Sequence, residues 1–315
     1  MKMNKENNKL IEECFKKARI TDELCEISVI KYRESLKRFF RSVGDKSFAD
    51  LEMKDIEDYI FKAKKRGNSN SGIVSVIYAV KWAIKKLQAQ GFIKNKIDLD
   101  KICKPKIKKQ DVNYLTKEEI EKFVSVMKKE LESGEAIRKI RTMTLYVFLL
   151  ETGARINEAL SIKIKDIDFE SREVAIIGKG SKPRKLLFYD QSEFWIRKYL
   201  RKQKRKCDYL FATISGKAKW SYNDVCRSFQ RYRRLSDISK KFTIHTFRHT
   251  FATQLLLNGV PLNQVSFLLG HANLETTMKY YIGTIKIAEA KQFMKDEYFD
   301  FIPKSKFTKK CDGLD

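Results

Sequence analysis

Residues 243–281 read TIHTFRHTFATQLLLNGVPLNQVSFLLGHANLETTMKYY. The spacing of apolar residues predicts helices at 247–258 and 262–269, punctuated by Gly259 and Gly270, and another near 275–282. All three histidines of the chain, His245, His249 and His271, fall within 27 consecutive residues of this stretch. Arg248 and the pair Tyr280-Tyr281 lie in it too. At 3.6 residues per turn, His245 and Arg248 can share a face close to a helix start. A helix N-terminus carrying a His and an Arg suits an anion. The stretch therefore predicts a helical region that also holds the chemistry.

Working upstream, 141–150 (RTMTLYVFLL) reads as a buried helix. It runs into Thr152-Gly153-Ala154-Arg155-Ile156-Asn157-Glu158. Residues 172–177 and 184–189 read as short strands flanking a turn-rich tip, Gly178-Lys179-Gly180-Ser181-Lys182. Further helices are expected near 191–204, 221–235 and 285–296. Thr116-Lys117-Glu118-Glu119 has the hydroxyl and acid of a capping box, so a new helix and a new domain start there. Four helical stripes precede it. They include Leu10, Cys14 and Phe15, then Leu36 and Phe40, then Ile56 and Tyr59, then Ile77 and Ile84. The expected fold class is mostly α with a small antiparallel β-sheet. The expected division is a helical bundle at 1–93, a linker at 94–113, a mixed, mainly helical catalytic domain at 114–302 and a tail at 303–315.

The chain has 315 residues and a formal net charge of +26. Residues 1–110 carry 27 basic and 15 acidic residues, and the remainder carries 39 and 25, so both parts are basic. Such a surplus repels itself unless a polyanion binds. Nucleic acid is the expected partner, with an anionic membrane surface as the rival. No apolar run approaches the ~18–20 residues of a membrane span. The start, MKMNKENNKLIEECF, lacks the apolar core of an export signal, so a cytoplasmic location is expected. The cysteines at 14, 25, 103, 207, 226 and 311 have no CxxC spacing and read as reduced thiols.

These motifs together resemble the tyrosine site-specific recombinases, more narrowly the Xer-type recombinases and phage-type integrases. That family's box is His-x-x-Arg, a second His after Leu-Gly, and a Tyr nine positions beyond. His245, Arg248, Leu269-Gly270-His271 and Tyr280 match it. Its first arginine lies in Thr-Gly-x-Arg-x-x-Glu, matched by Arg155, and its lysine in a Gly-Lys-Gly tip, matched by Lys179. The resemblance covers roughly residues 5–300, and for the N-terminal bundle it rests on size and helicity alone.

Cutting a phosphodiester builds extra negative charge on a five-coordinate phosphorus. Two guanidinium forks suit its non-bridging oxygens, and Arg155 and Arg248 are the candidates. Tyr280 is the candidate nucleophile; a phenol with a pKa near ~10 needs help to lose its proton. The resemblance implies that His245 accepts that proton, His271 donates to the phosphate and Lys179 protonates the departing 5′ oxygen. Lys182 is a close rival of Lys179. Family spacing selects Tyr280 over Tyr281, for which packing or an auxiliary phosphate contact is expected. The counterpart of Glu158 supports the site backbone. His249 reads as a packing residue or one that supports a neighbour.

A zinc-hydrolase pattern H-E-x-x-H would need Glu where Thr246 stands. No metal and no cofactor is expected. The resemblance further implies a double-stranded DNA partner with an inverted-repeat core site, gripped by a C-shaped clamp of the two domains. Four protomers would act on two duplexes through a 3′-phosphotyrosine and a Holliday junction. The apolar stripe Ile287, Ala288, Ala290, Phe293 and Met294 would pass a C-terminal helix to a neighbour. An activating partner protein remains open. The rival functions are a topoisomerase using the same tyrosine chemistry and a DNA-binding protein with an inactive site. Chromosome-dimer resolution and mobile-element integration or excision both fit.

Overall fold

The computed structural model describes residues 4–21, 24–44, 46–94, 97–107, 112–178, 183–203, 207–271, 273–275, 277, 278, 280, 281 and 283. Two compact units divide between residues 110 and 111.

The first unit contains helices α1 (Lys5–Ile20), α2 (Glu26–Val43), α3 (Met53–Lys65) and α4 (Asn70–Ala89). Each has the apolar stripe its sequence predicts, and α4, the most apolar, packs against the other three. Phe15, Leu36, Phe39, Ile56 and Ile77 meet in one core. Asn7, fully buried on α1, donates from Nδ2 to the Lys46 carbonyl (2.9 Å) and accepts the Phe48 amide (2.9 Å). It ties the helix to the loop before α3. The stretch 94–113, expected as a linker, adds buried Ile102 and half-buried Ile97 and Leu99 to this core.

The second unit holds α5 (Lys117–Glu132), α6 (Ile137–Thr152), the single turn α7 (Ile156–Ala159), strands β1 (Ile167–Asp168), β2 (Glu173–Ile177) and β3 (Pro183–Leu187), then α8 (Asp190–Lys202), α9 (Tyr222–Leu235), α10 (Ile244–Leu257) and α11 (Leu262–Leu269). The strands form an antiparallel sheet in sequence order. Ile177 pairs with Pro183 at the last register position of β2 and β3. Two strands were expected; β1, a two-residue pairing, is too short to show a period.

Helix α6 is buried on nearly all sides and packs against α5, α8 and α10. Around it, Phe123, Tyr146, Phe229, Phe242 and Phe247 form an aromatic cluster with centroids 5.3–6.1 Å apart. Phe247 is the anchor of α10 in that cluster, one residue before Arg248. The helix starts at Ile244, three residues earlier than its apolar period predicts. Thr243 and Thr246 form a capping box there, the Thr243 amide donating to Thr246 Oγ1 at 3.0 Å. His245 therefore sits inside the first turn.

Candidate active site

The site forms where two chain reversals meet. Gly153 ends α6 with φ +62°, a left-handed turn that disfavours a side chain. A β-carbon there would lie 2.4 Å from the Phe251 ring. The turn delivers Arg155 to the N-cap of α7. The Arg155 amide donates to Glu158 Oε2 (2.8 Å) and its Nη1 to Glu158 Oε1 (2.9 Å). Gly270, with φ +63°, ends α11 in the same way and turns the chain into His271.

Arg248, only 3% exposed, braces the two reversals. It donates from Nη1 to the Gly153 carbonyl (2.8 Å) and from Nη2 to the Leu269 carbonyl (2.5 Å). Both acceptors are neutral. Among the described residues no carboxylate forms an ion pair with Arg248. Burial, and then nearby Arg155, lower its pKa to about 9, so it keeps its charge at neutral pH.

The three histidines gather around this cation. The rings of His245 and His249 meet edge to face at 4.8 Å. Burial pulls His245 below its ordinary value, helped by Arg248 and Arg155. His249 falls to about 4 through burial, His245 and Arg248. His271 falls to about 4 through burial, then Arg248, Arg155 and Arg184. All three are neutral imidazoles at pH 7. His271 Nδ1 lies 2.6 Å from Thr277 Oγ1, and the Thr277 hydroxyl donates to Ser266 Oγ at 3.0 Å. This chain orients the ring and leaves Nε2 outside it.

The two tyrosines separate cleanly. Tyr280 is 56% exposed, with its ring 6.2 Å from that of His249. Tyr281 is 2% exposed, and its hydroxyl lies 2.7 Å from His249 Nδ1. Arg155, His245, Arg248 and His271 thus share one electrostatic neighbourhood, and Tyr280 stands at its margin beside His249. Lys179, its rival Lys182 and the stripe 287–294 lie outside the described residues.

Residues 113–284 match the phage integrase family. The chain belongs to the phage integrase family and is a tyrosine recombinase. It is 32% identical to "Tyrosine recombinase XerA" of Pyrococcus furiosus over 236 residues, which cover 74% of this chain and 77% of that one. Its fold is similar to that of the XerH site-specific recombinase bound to palindromic difH substrate in a post-cleavage complex. That likeness has a TM-score of 0.70 and 24% identity, and covers 91% of this chain and 84% of the other. The Tn1549 transposon integrase in complex with circular intermediate DNA is similar at TM-score 0.67 and 20% identity, covering 91% and 99%.

One further cation of this recombinase site escapes sequence reasoning. Arg184, on β3, donates from Nη2 to Glu158 Oε2 (2.9 Å) and from Nη1 to the Leu268 carbonyl (2.7 Å). A β-carbon on Gly270 would come within 2.6 Å of the Arg184 side chain. Glu158 therefore serves Arg155 and Arg184 together. Burial pushes its carboxyl up, but the Arg155 amide and the Arg184 charge outweigh that and hold it below the ordinary range. Arg184 ties the hairpin to the turn bearing His271. Its role depends on β3 lying beside the end of α11, and no local pattern encodes that adjacency.

Proposed function

We propose that this chain recombines double-stranded DNA at a specific inverted-repeat site, with Tyr280 as the nucleophile. The observation that carries this reading is Arg248: a buried guanidinium, bonded to two carbonyls and paired with no carboxylate among the described residues. The nearby charge of Glu158 is already paired with Arg155 and Arg184, so the buried Arg248 has no counter-ion of its own, which is costly. A phosphate arriving between Arg155 and Arg248 supplies one.

In this reading the Tyr280 oxygen attacks phosphorus and its proton passes to neutral His245. The bond from phosphorus to the 5′ oxygen breaks, and Lys179 protonates that oxygen. Arg155 and Arg248 hold the non-bridging oxygens, whose charge grows in the transition state, and the arriving negative charge favours protonation of His271, whose Nε2–H then donates to the phosphate. One phosphodiester is exchanged for another, so the 3′-phosphotyrosine retains the bond energy and rejoining needs no ATP. The freed 5′ hydroxyl then attacks the phosphotyrosine on a partner duplex. Four protomers on two duplexes, passing through a Holliday junction, complete the exchange. The C-terminal segment would link neighbouring protomers. Both basic units would contact DNA, in the cytoplasm. Dimer resolution and mobile-element movement use the same chemistry.

The test is covalent trapping on sheared genomic DNA from the organism that encodes the chain. Wild-type protein and Tyr280→Phe are mixed with the fragments, denatured in detergent, and the attached ends sequenced. Adducts at one or a few inverted repeats, lost in Tyr280→Phe, are expected. Scattered adducts would identify a topoisomerase. Fragments retained before denaturation but none attached afterwards would identify an inactive DNA-binding protein.

A further inference from the structure

Tyr281 is an expensive residue for the place it occupies. Its ring fills a small apolar cluster with Ala252, Leu256, Val265 and Leu269. A phenylalanine would fill that space without burying a hydroxyl. The hydroxyl instead finds His249 Nδ1 at 2.7 Å. Burial pushes its pKa above that of an ordinary phenol, so it stays protonated and hydrogen-bonded. The partners of this bond have telling neighbours. His249 follows Arg248 directly on α10, and Tyr281 follows Tyr280 directly. The hydrogen bond therefore connects the backbone of the bracing arginine to the backbone of the exposed tyrosine through one residue on each side. On the other side of Tyr280, Thr277 is bonded to Ser266 and His271. The segment carrying Tyr280 is thus held at two points, one of them through His271.

We propose that Tyr281 is a positioning residue for strand cleavage: its buried hydroxyl, bonded to His249, sets the distance and direction of Tyr280 relative to Arg248. This rests on the reading of Tyr280 as nucleophile. It assigns the second tyrosine a task that packing does not require. A reacting atom displaced by about 1 Å can cost on the order of 100-fold in rate. The bond contributes no contact to DNA, so its loss slows cleavage without weakening binding.

The experiment uses full-length wild type, Tyr280→Phe, Tyr281→Phe, His249→Phe, His249→Asn and the double variant Tyr281→Phe/His249→Phe. The probe is sheared genomic DNA from the source organism. Two quantities are read: fragments retained before denaturation, and the first-order rate of covalent attachment at saturating protein. Amide hydrogen exchange of residues 277–283 is read in the DNA-free proteins. Tyr281→Phe and His249→Phe should each slow attachment about tenfold or more, retain DNA as wild type does, and speed exchange of that segment. The double variant should be no slower than either single one. His249→Asn, which keeps a polar atom near the Nδ1 position, should recover much of the rate. Wild-type attachment and exchange in Tyr281→Phe would overturn the inference, as would losses that simply add in the double variant. Attachment persisting in Tyr280→Phe would instead overturn the assignment of the nucleophile. Attachment lost only in Tyr281→Phe would move it to Tyr281.

Discussion

Arg248 does two jobs with one planar group. Two of its five N–H donors brace the ends of α6 and α11, and its charge faces the place proposed for the phosphate. Lysine keeps the charge but cannot reach both carbonyls and an anion. Arg248→Lys should therefore slow covalent attachment by about 100-fold or more, with DNA retention reduced far less. The histidines predict a pH dependence of stability. His249 and His271 titrate near pH 4 in the folded chain and near about 6.5 when unfolded. Between those values the unfolded chain binds more protons, so their stabilising contribution is complete above about pH 6.5 and is lost as pH falls toward 4. The melting temperature should drop between about pH 7 and about pH 4.5, and His271→Asn should drop less. An equal drop in both would show that His271 is not held neutral by the fold. At this scale helix period related His245 to Arg248, and Arg155, His271 and Tyr280 were legible through short motifs that resemble those of the recombinase family. The partners were not: Arg184 reaches Glu158 across 26 residues of chain, and Ser266 reaches Thr277 across a turn.

Two elements carry the geometry. The turn after α6 requires Gly153, where positive φ coincides with a Phe251 ring pressed against the α-carbon. Gly153→Ala should destabilise the chain by about 2 kcal/mol or more, measured by urea unfolding, and slow attachment further than stability alone explains, because Arg155 follows by two residues. The aromatic cluster holds α10 through Phe247. Phe247→Ala leaves a void among Phe123, Tyr146 and Phe229 and should cost about 3–5 kcal/mol. A loss below about 1 kcal/mol would mean that α10 is held elsewhere. Helix positions were legible from apolar period and caps. Starts were less so: the period of α10 begins at Phe247, whereas its cap is made by Thr243 and Thr246, two threonines whose pairing shows no apolar signal. The pairing of β1 with β2 was invisible for a similar reason, since two residues carry no alternation.

Across the whole molecule, charge sets the expectation. A surplus of +26 shared by both units predicts binding dominated by phosphate contacts. The logarithm of DNA affinity should fall linearly with the logarithm of salt concentration, by about 0.9 per phosphate contacted. A total slope shallower than about one contact would contradict a polyanion grip by both units. Composition made the basic character plain, but it could not tell cations that meet DNA from those already paired. Arg197 with Glu193, Lys198 and Lys202 with Glu135, and Arg231 with Glu130 belong to the second kind.

The proposed cleavage leaves a covalent bond at one oxygen, that of Tyr280. The most direct measurement digests trapped protein with nuclease and trypsin and fragments the peptide that begins after Lys279. A nucleotide remnant is expected on Tyr280, with Tyr281 unmodified. A remnant on Tyr281 or on any other residue would contradict that assignment.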